Sequence, residues 1–316
     1  MNNIKREDIH IIARHSNWSE KSIKNTLKKN IYHDKDAWQQ FLRLFFISLG
    51  VGFTISGIIF FFAYNWADLH KFIKIGLIES LIIIDTLIIL FSKVNLDIKN
   101  ILLTGTSILV GVLFAVFGQI YQTGANAYDF FLGWTMSITI WVLVSNYAPL
   151  WLIFITLINT TLILYSQQVT QNWSEVFVCT LLFIINILFL TMSLFGKNLN
   201  SAIKFPVWFS NLIALAAVSY STIGIVIGII DNNQTSFFAL IMITSILYGI
   251  GINYGLKVKS SFYLSIIPFS IIIIISSLLI KLSDDASMFF VISLFVIGSV
   301  TFVIKNLTDL QKKWIN

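Results

Sequence analysis

The chain has 316 residues, 57% of them hydrophobic and only 11% charged, with a mean hydropathy of +0.84. A water-soluble domain carries about 45–50% apolar and about 25% charged residues, so this composition excludes an ordinary soluble protein. The formal charge of +6 is not a nucleic-acid footprint, because Lys and Arg lie in short connections and near the two ends instead of along one face.

Residues 1–40 form a basic segment, with nine Lys or Arg between Lys5 and Arg43. It is far longer than the n-region of a signal peptide, so no cleavable signal is expected. Ile9, Ile12 and Ala13 fall at helical spacing, and Ser19 reads as the N-cap of a second amphipathic helix carrying Ile23, Leu27 and Ile31. Two short helices cannot make a catalytic core. They read as a cytoplasmic cap on the inner leaflet or on the bundle, with docking of a partner as the alternative.

Ten apolar blocks follow, at 41–64, 72–91, 101–119, 129–146, 150–165, 176–194, 207–230, 237–254, 262–280 and 288–304. Their lengths match the roughly 20 residues that carry a helix across the hydrocarbon. The expected fold is all-α, a polytopic transmembrane bundle of about ten spans. Threaded with the N-terminus inside, such a chain places 18 of its 21 Lys and Arg on the inner side and leaves Lys71, Lys74 and Lys281 outside. That asymmetry is the positive-inside pattern and puts both termini in the cytoplasm. The fourth and fifth blocks are the weakest, short and joined by an uncharged link from Ser145 to Pro149. If that hairpin failed to cross, the other eight would keep their direction.

After the first block comes Ala63-Tyr64-Asn65-Trp66-Ala67-Asp68. Asn65 and Trp66 are candidate ligand-facing residues there, although Trp and Tyr are also ordinary interface residues. The second block contains Glu79 and Asp85. An acid at the centre of an isolated helix costs about 2.5–3.5 kcal/mol to insert, while each Ile, Leu or Phe returns about 0.3–0.6. The 14 such residues of this block offset two acids only roughly, so the helix is expected to turn its acids into the bundle. Six residues correspond to about 240° around a helix, so the two cannot easily share one ion. Glu79 shares a stripe with Gly76 and Thr86, and both acids are candidate functional groups, with helix-gluing hydrogen bonds as the plainer role.

The third block ends in Gly118-Gln119-Ile120-Tyr121-Gln122-Thr123-Gly124-Ala125-Asn126, leading to Tyr128 and Asp129. Its amides and phenols both donate and accept hydrogen bonds. Gln119, Tyr121, Gln122 and Asp129 are candidate ligand-facing residues at an outward vestibule, against the reading of this stretch as an ordinary turn. Further along, Pro149 and Pro206 mark helix starts, and Pro268 lies inside the ninth block and is expected to kink it. The single cysteine, Cys179, lies in an apolar block and reads as a small buried hydrophobe. Small residues recur every four positions, as in Ser48, Gly52 and Ser56, Ser107, Gly111 and Ala115, Gly224 and Gly228, and Gly251 and Gly255. That spacing reads as close helix packing.

Phe62 to Trp66, the run from Lys71 towards Glu79, Phe117 to Ala125 and Phe131 to Trp134 resemble an uncharacterised bacterial family of multi-pass membrane proteins, domain of unknown function 2157. The resemblance covers about residues 1–165 and is most specific in Gly118 to Gln122. It implies a bacterial inner-membrane location and no established activity, and it carries over no catalytic residue.

The expected organisation is a cytoplasmic segment at 1–40, a family-like membrane region with polar outer-face motifs at 41–165, and further spans at 166–316. No Walker A sequence, nucleophile elbow or dinucleotide fingerprint appears, and His10, His15, His33 and His70 form no ligand pair. No catalytic residue, metal or cofactor is expected, and an enzyme is the less favoured reading. The leading expectation is transport-like passage or sensing of a small solute or proton, with Glu79 as the titrating group. A structural or accessory subunit of an envelope complex is the alternative. The expected partners are the lipid bilayer and another envelope membrane protein or a second copy, with no nucleic acid.

Overall fold

The computed structural model describes residues 6–16, 18–30, 35–64, 69–121, 124–170, 172–199, 205–231, 236–282 and 286–315. Its regular structure among these residues is helical throughout. The helices are α1 (Arg6–Arg14), α2 (Glu20–Asn30), α3 (Lys35–Tyr64), α4 (Lys71–Phe91), α5 (Leu96–Tyr121), α6 (Ala127–Ser145), α7 (Ala148–Gln168), α8 (Glu175–Leu199), α9 (Val207–Ile230), α10 (Phe237–Val258), α11 (Ser261–Leu282) and α12 (Ala286–Ile315).

Nine of them, α3 and α5 to α12, are long and apolar enough to cross a membrane. Backbone hydrogen bonds closed within each helix are what hydrocarbon demands of an open chain, so the protein is an all-α, multi-pass membrane protein. The weak fourth and fifth blocks are full helices of 19 and 21 residues. The sequence count of ten differs from these nine by α4. That helix has 21 residues, about 31 Å at 1.5 Å per residue. Every 18-residue stretch of it carries at least three of Lys71, Lys74, Glu79 and Asp85.

The chain divides into two compact units, Met1–Leu109 and Val110–Asn316. In the first, α1 and α2 pack together through buried Ile9 and Leu27. Ser19 caps α2 as its sequence implied, its Oγ accepting the Ser22 N–H at 3.2 Å. Ile31 lies outside the described residues. On α5, a Cβ at Gly105 would meet Val51 Cγ1 of α3 at 2.6 Å, so only glycine admits that approach.

In the second unit, α6 pairs with α7 and α8 with α9, while α11 lies against α9, α10 and α12. Val176, Phe183, Ala217, Ile225 and Leu240 form the apolar centre between α8, α9 and α10. Lipid tails are as apolar as these side chains, so close packing and interhelical hydrogen bonds must supply the specificity. Small residues provide the packing. A Cβ on Gly224 would lie 2.7 Å from Cys179 Cβ, and one on Gly251 2.7 Å from Ile267. Gly52 in the first unit meets nothing within 4 Å, so its small-residue stripe stands open.

Buried polar side chains provide the bonds. Asn159 on α7 and Asn186 on α8 exchange amide hydrogen bonds of 3.3 and 3.0 Å. Ser193 on α8 donates to Ser210 on α9 at 3.0 Å. Four hydroxyls join α9, α10 and α11, with Tyr248 2.8 Å from Ser221 and 2.6 Å from Ser270, which is itself 2.6 Å from Thr222.

Candidate functional site

The most distinctive sequence stretch builds a concave site where α5 turns into α6. Gly124 has φ +64°, in the left-handed region that a side chain disfavours, and it lets the chain reverse. The turn ends in a reciprocal cap, the Asn126 N–H donating to Asp129 Oδ2 at 3.2 Å while the Asp129 N–H donates to the Asn126 carbonyl at 3.1 Å. The next helical donor, Tyr128 N–H, is accepted by Gln168 Oε1 from the end of α7 at 3.1 Å. The Tyr128 ring packs edge-on against Tyr165, with centroids 5.2 Å apart.

Below the turn α5 approaches α6 at two points. A Cβ at Gly111 would lie 2.5 Å from the Trp134 ring, and one at Gly133 would meet Phe114 at 3.0 Å. The pocket above this contact has a volume of about 750 Å³, with Phe114, Phe117, Gln119, Asn126, Asp129 and Phe130 in its walls. Gln119 and Asp129 are exposed there. Tyr121 is 42% exposed and is not part of the wall; its ring lies 4.5 Å from that of Phe117. Asn65, Trp66 and Gln122 lie outside the described residues.

The chemistry of the pocket is restrictive. Its described lining contains no basic residue, and two of the helix N–H groups that would greet an anion, those of Tyr128 and Asp129, are already taken by Gln168 and the Asn126 carbonyl. The Asp129 carboxylate adds negative charge. What remains is a carboxylate, the Gln119 and Asn126 amides that donate and accept, and three phenylalanine rings, a set that suits a neutral polar or cationic solute.

The two acids of α4, in the first unit, part company. Asp85 is half-buried, and Thr106 of α5, fully buried, approaches its Oδ2 at 3.5 Å while donating to the Leu102 carbonyl at 2.9 Å. Glu79 is exposed, and a Cβ added at Gly76 on the same stripe would meet nothing within 4 Å. The expectation that both acids turn inward therefore holds for Asp85 alone. The reason is angular, since groups about 240° apart cannot both face the one helix α5. Lys74, one turn before Ile78, is buried.

Two polar features of the second unit escaped the sequence reading. Asn159 and Asn186 are single amides inside apolar helices, and that oddity was the available signal. Ser221, Thr222, Tyr248 and Ser270 gave none, because each is common in a span and only the packing joins them. Among the described residues, no cluster of three His, Cys, Asp or Glu is placed to hold a metal ion.

Residues 19–151 match the family model described as Predicted membrane protein (DUF2157). The matched segment is narrower at both ends than the resemblance read from motifs, and it runs from the cap of α2 into the start of α7. It contains both α4 acids and the whole α5–α6 pocket, so the turn lies inside the segment that is similar to this family. No curated protein and no solved structure matches.

Proposed function

We propose that this protein sits in the bacterial inner membrane with both termini in the cytoplasm, and that it binds a small neutral or cationic solute in the α5–α6 pocket as part of a transport-like or sensing activity. On this reading α4 is the tenth span. Its charges are tolerated because Lys71 and Lys74 lie in its first turn, near the interface, and Asp85 has a hydroxyl beside it. The positive-inside count then places the α5–α6 turn on the outer face. The observation that carries the reading is the pocket itself, built from the polar turn inside the matched segment and presenting Gln119 and Asp129 without a basic residue. Glu79, mid-helix and ionisable, is the group proposed to titrate.

The test uses full-length protein in liposomes loaded with a pH-sensitive dye and exposed to an imposed pH gradient. Glu79→Gln should abolish the protein-dependent proton flux while the purified variant stays monodisperse. Unchanged flux would remove Glu79 from the mechanism. Gln119→Ala should leave the basal leak unaltered and change its response to added solutes.

One observation favours the accessory reading. An exposed carboxylate at mid-helix beside an open glycine is costly against lipid and is relieved when another helix covers it. Extraction in mild detergent should then bring a fixed partner with the protein, and a lone monodisperse species would count against that role.

A further inference from the structure

We propose that a second cavity, between α9, α10 and α11, holds one zwitterionic aminophospholipid taken sideways from the bilayer. The cavity has a volume of about 1090 Å³, just above the about 300–1,000 Å³ usual for small-molecule sites. Its walls are apolar, with Ile225, Ile241 and Ile274 among them. Its rim residues Phe238 and Leu282 are 76% and 69% exposed. A cavity open through such a rim faces hydrocarbon, and the molecule present there at highest concentration is lipid.

Three polar groups set the chemistry. Lys281, in the last turn of α11, and Asp231, the residue following α9, both line the cavity. Lys281 donates to the Ile229 carbonyl, which holds its ammonium group at the end of α9. A cation and an anion at one mouth complement a headgroup with both charges, the phosphate facing Lys281 and the primary ammonium facing Asp231.

The third group is Thr244. It is 3% exposed, lines the cavity, and its Oγ has no hydrogen-bond partner among the described residues. Other buried threonines, Thr180 on α8 and Thr222 on α9, bond the carbonyl four residues back. A buried hydroxyl left unpaired calls for an acceptor. Thr244 lies about 10 Å along α10 from its first residue, Phe237, at the depth of an acyl ester carbonyl below the headgroup. Tyr248, one turn deeper, is tied to Ser221 and Ser270 and closes the cavity where an acyl chain would end.

Native mass spectrometry of delipidated full-length protein, titrated with phosphatidylethanolamine, phosphatidylglycerol or phosphatidylcholine, tests the proposal. Phosphatidylethanolamine should be retained on the order of tenfold better than the other two. Gly249→Phe should remove that retention, because Gly249 lines the cavity and a Cβ there meets nothing within 4 Å. Asp231→Asn should make phosphatidylethanolamine and phosphatidylglycerol equivalent. If Gly249→Phe does not fold, Thr244→Val serves in its place and should weaken retention. Equal retention of all three lipids, or undiminished phosphatidylethanolamine binding by a folded cavity variant, would overturn the proposal, as would a dimer whose second copy fills the groove. Solute binding at the α5–α6 pocket is untouched by any of these variants, so the two readings fail separately.

Discussion

The Asn159–Asn186 pair offers the sharpest check on how α7 and α8 are held. Leu is nearly isosteric with Asn, so Asn→Leu removes the hydrogen bonds with little change in shape. In Asn186→Leu the Asn159 amide, 7% exposed, loses both of its bonds to α8. A buried polar group stranded in this way costs about 1–3 kcal/mol. In Asn159→Leu the Asn186 amide still donates to the Leu182 carbonyl at 2.8 Å, so the smaller loss is expected there. The double variant strands nothing and should cost less than the two single changes added together. Measured couplings of this kind in membrane helices average about 0.6 kcal/mol and reach about 1.7. Detergent-induced unfolding followed by the fluorescence of the nine tryptophans gives all four corners of the cycle. Costs that add within about 0.3–0.5 kcal/mol would mean that the two amides do not meet and would refute the pairing.

Gly111→Ala drives a Cβ into the Trp134 ring at 2.5 Å and should destabilise the protein by about 1–3 kcal/mol, whereas Gly118→Ala, whose Cβ meets nothing within 4 Å, should stay within about 0.5. The same unfolding assay compares them, and equal effects would dissolve the α5–α6 contact. Tyr248→Phe removes the hydroxyl between Ser221 and Ser270, but Ser221 keeps the Val218 carbonyl and Ser270 keeps Thr222. The loss should be only about 0.5–1.5 kcal/mol, read as a small shift of the unfolding midpoint without loss of helix by circular dichroism.

The spans were legible because lipid imposes a length and an apolar composition that any reader of the residues can count. The ninth block, with Pro268 inside it, still forms the continuous α11. The cap at Ser19 was legible for a local reason too, since its partner is three residues away. Glu79 and Asp85 show where local reasoning stops. Insertion costs say that an acid needs cover, but which acid finds it depends on where α5 stands, and Asp85 meets Thr106 while Glu79 does not. The motif from Gly118 to Asp129 was visible as a polar turn, yet Asp129 proved to be half capping group and half pocket wall.

Composition and charge, taken alone, determined that this is a multi-pass helical membrane protein, because the cost of unbonded backbone in hydrocarbon leaves a chain this oily no other form. Only the tertiary structure decided which polar groups meet. Asn159 with Asn186, Tyr248 with Ser270, and Lys281 with the Ile229 carbonyl join residues 22 to 52 positions apart. Such pairings turn on helix rotation and neighbour order, which hydropathy leaves open because every face of a spanning helix is greasy enough to face lipid.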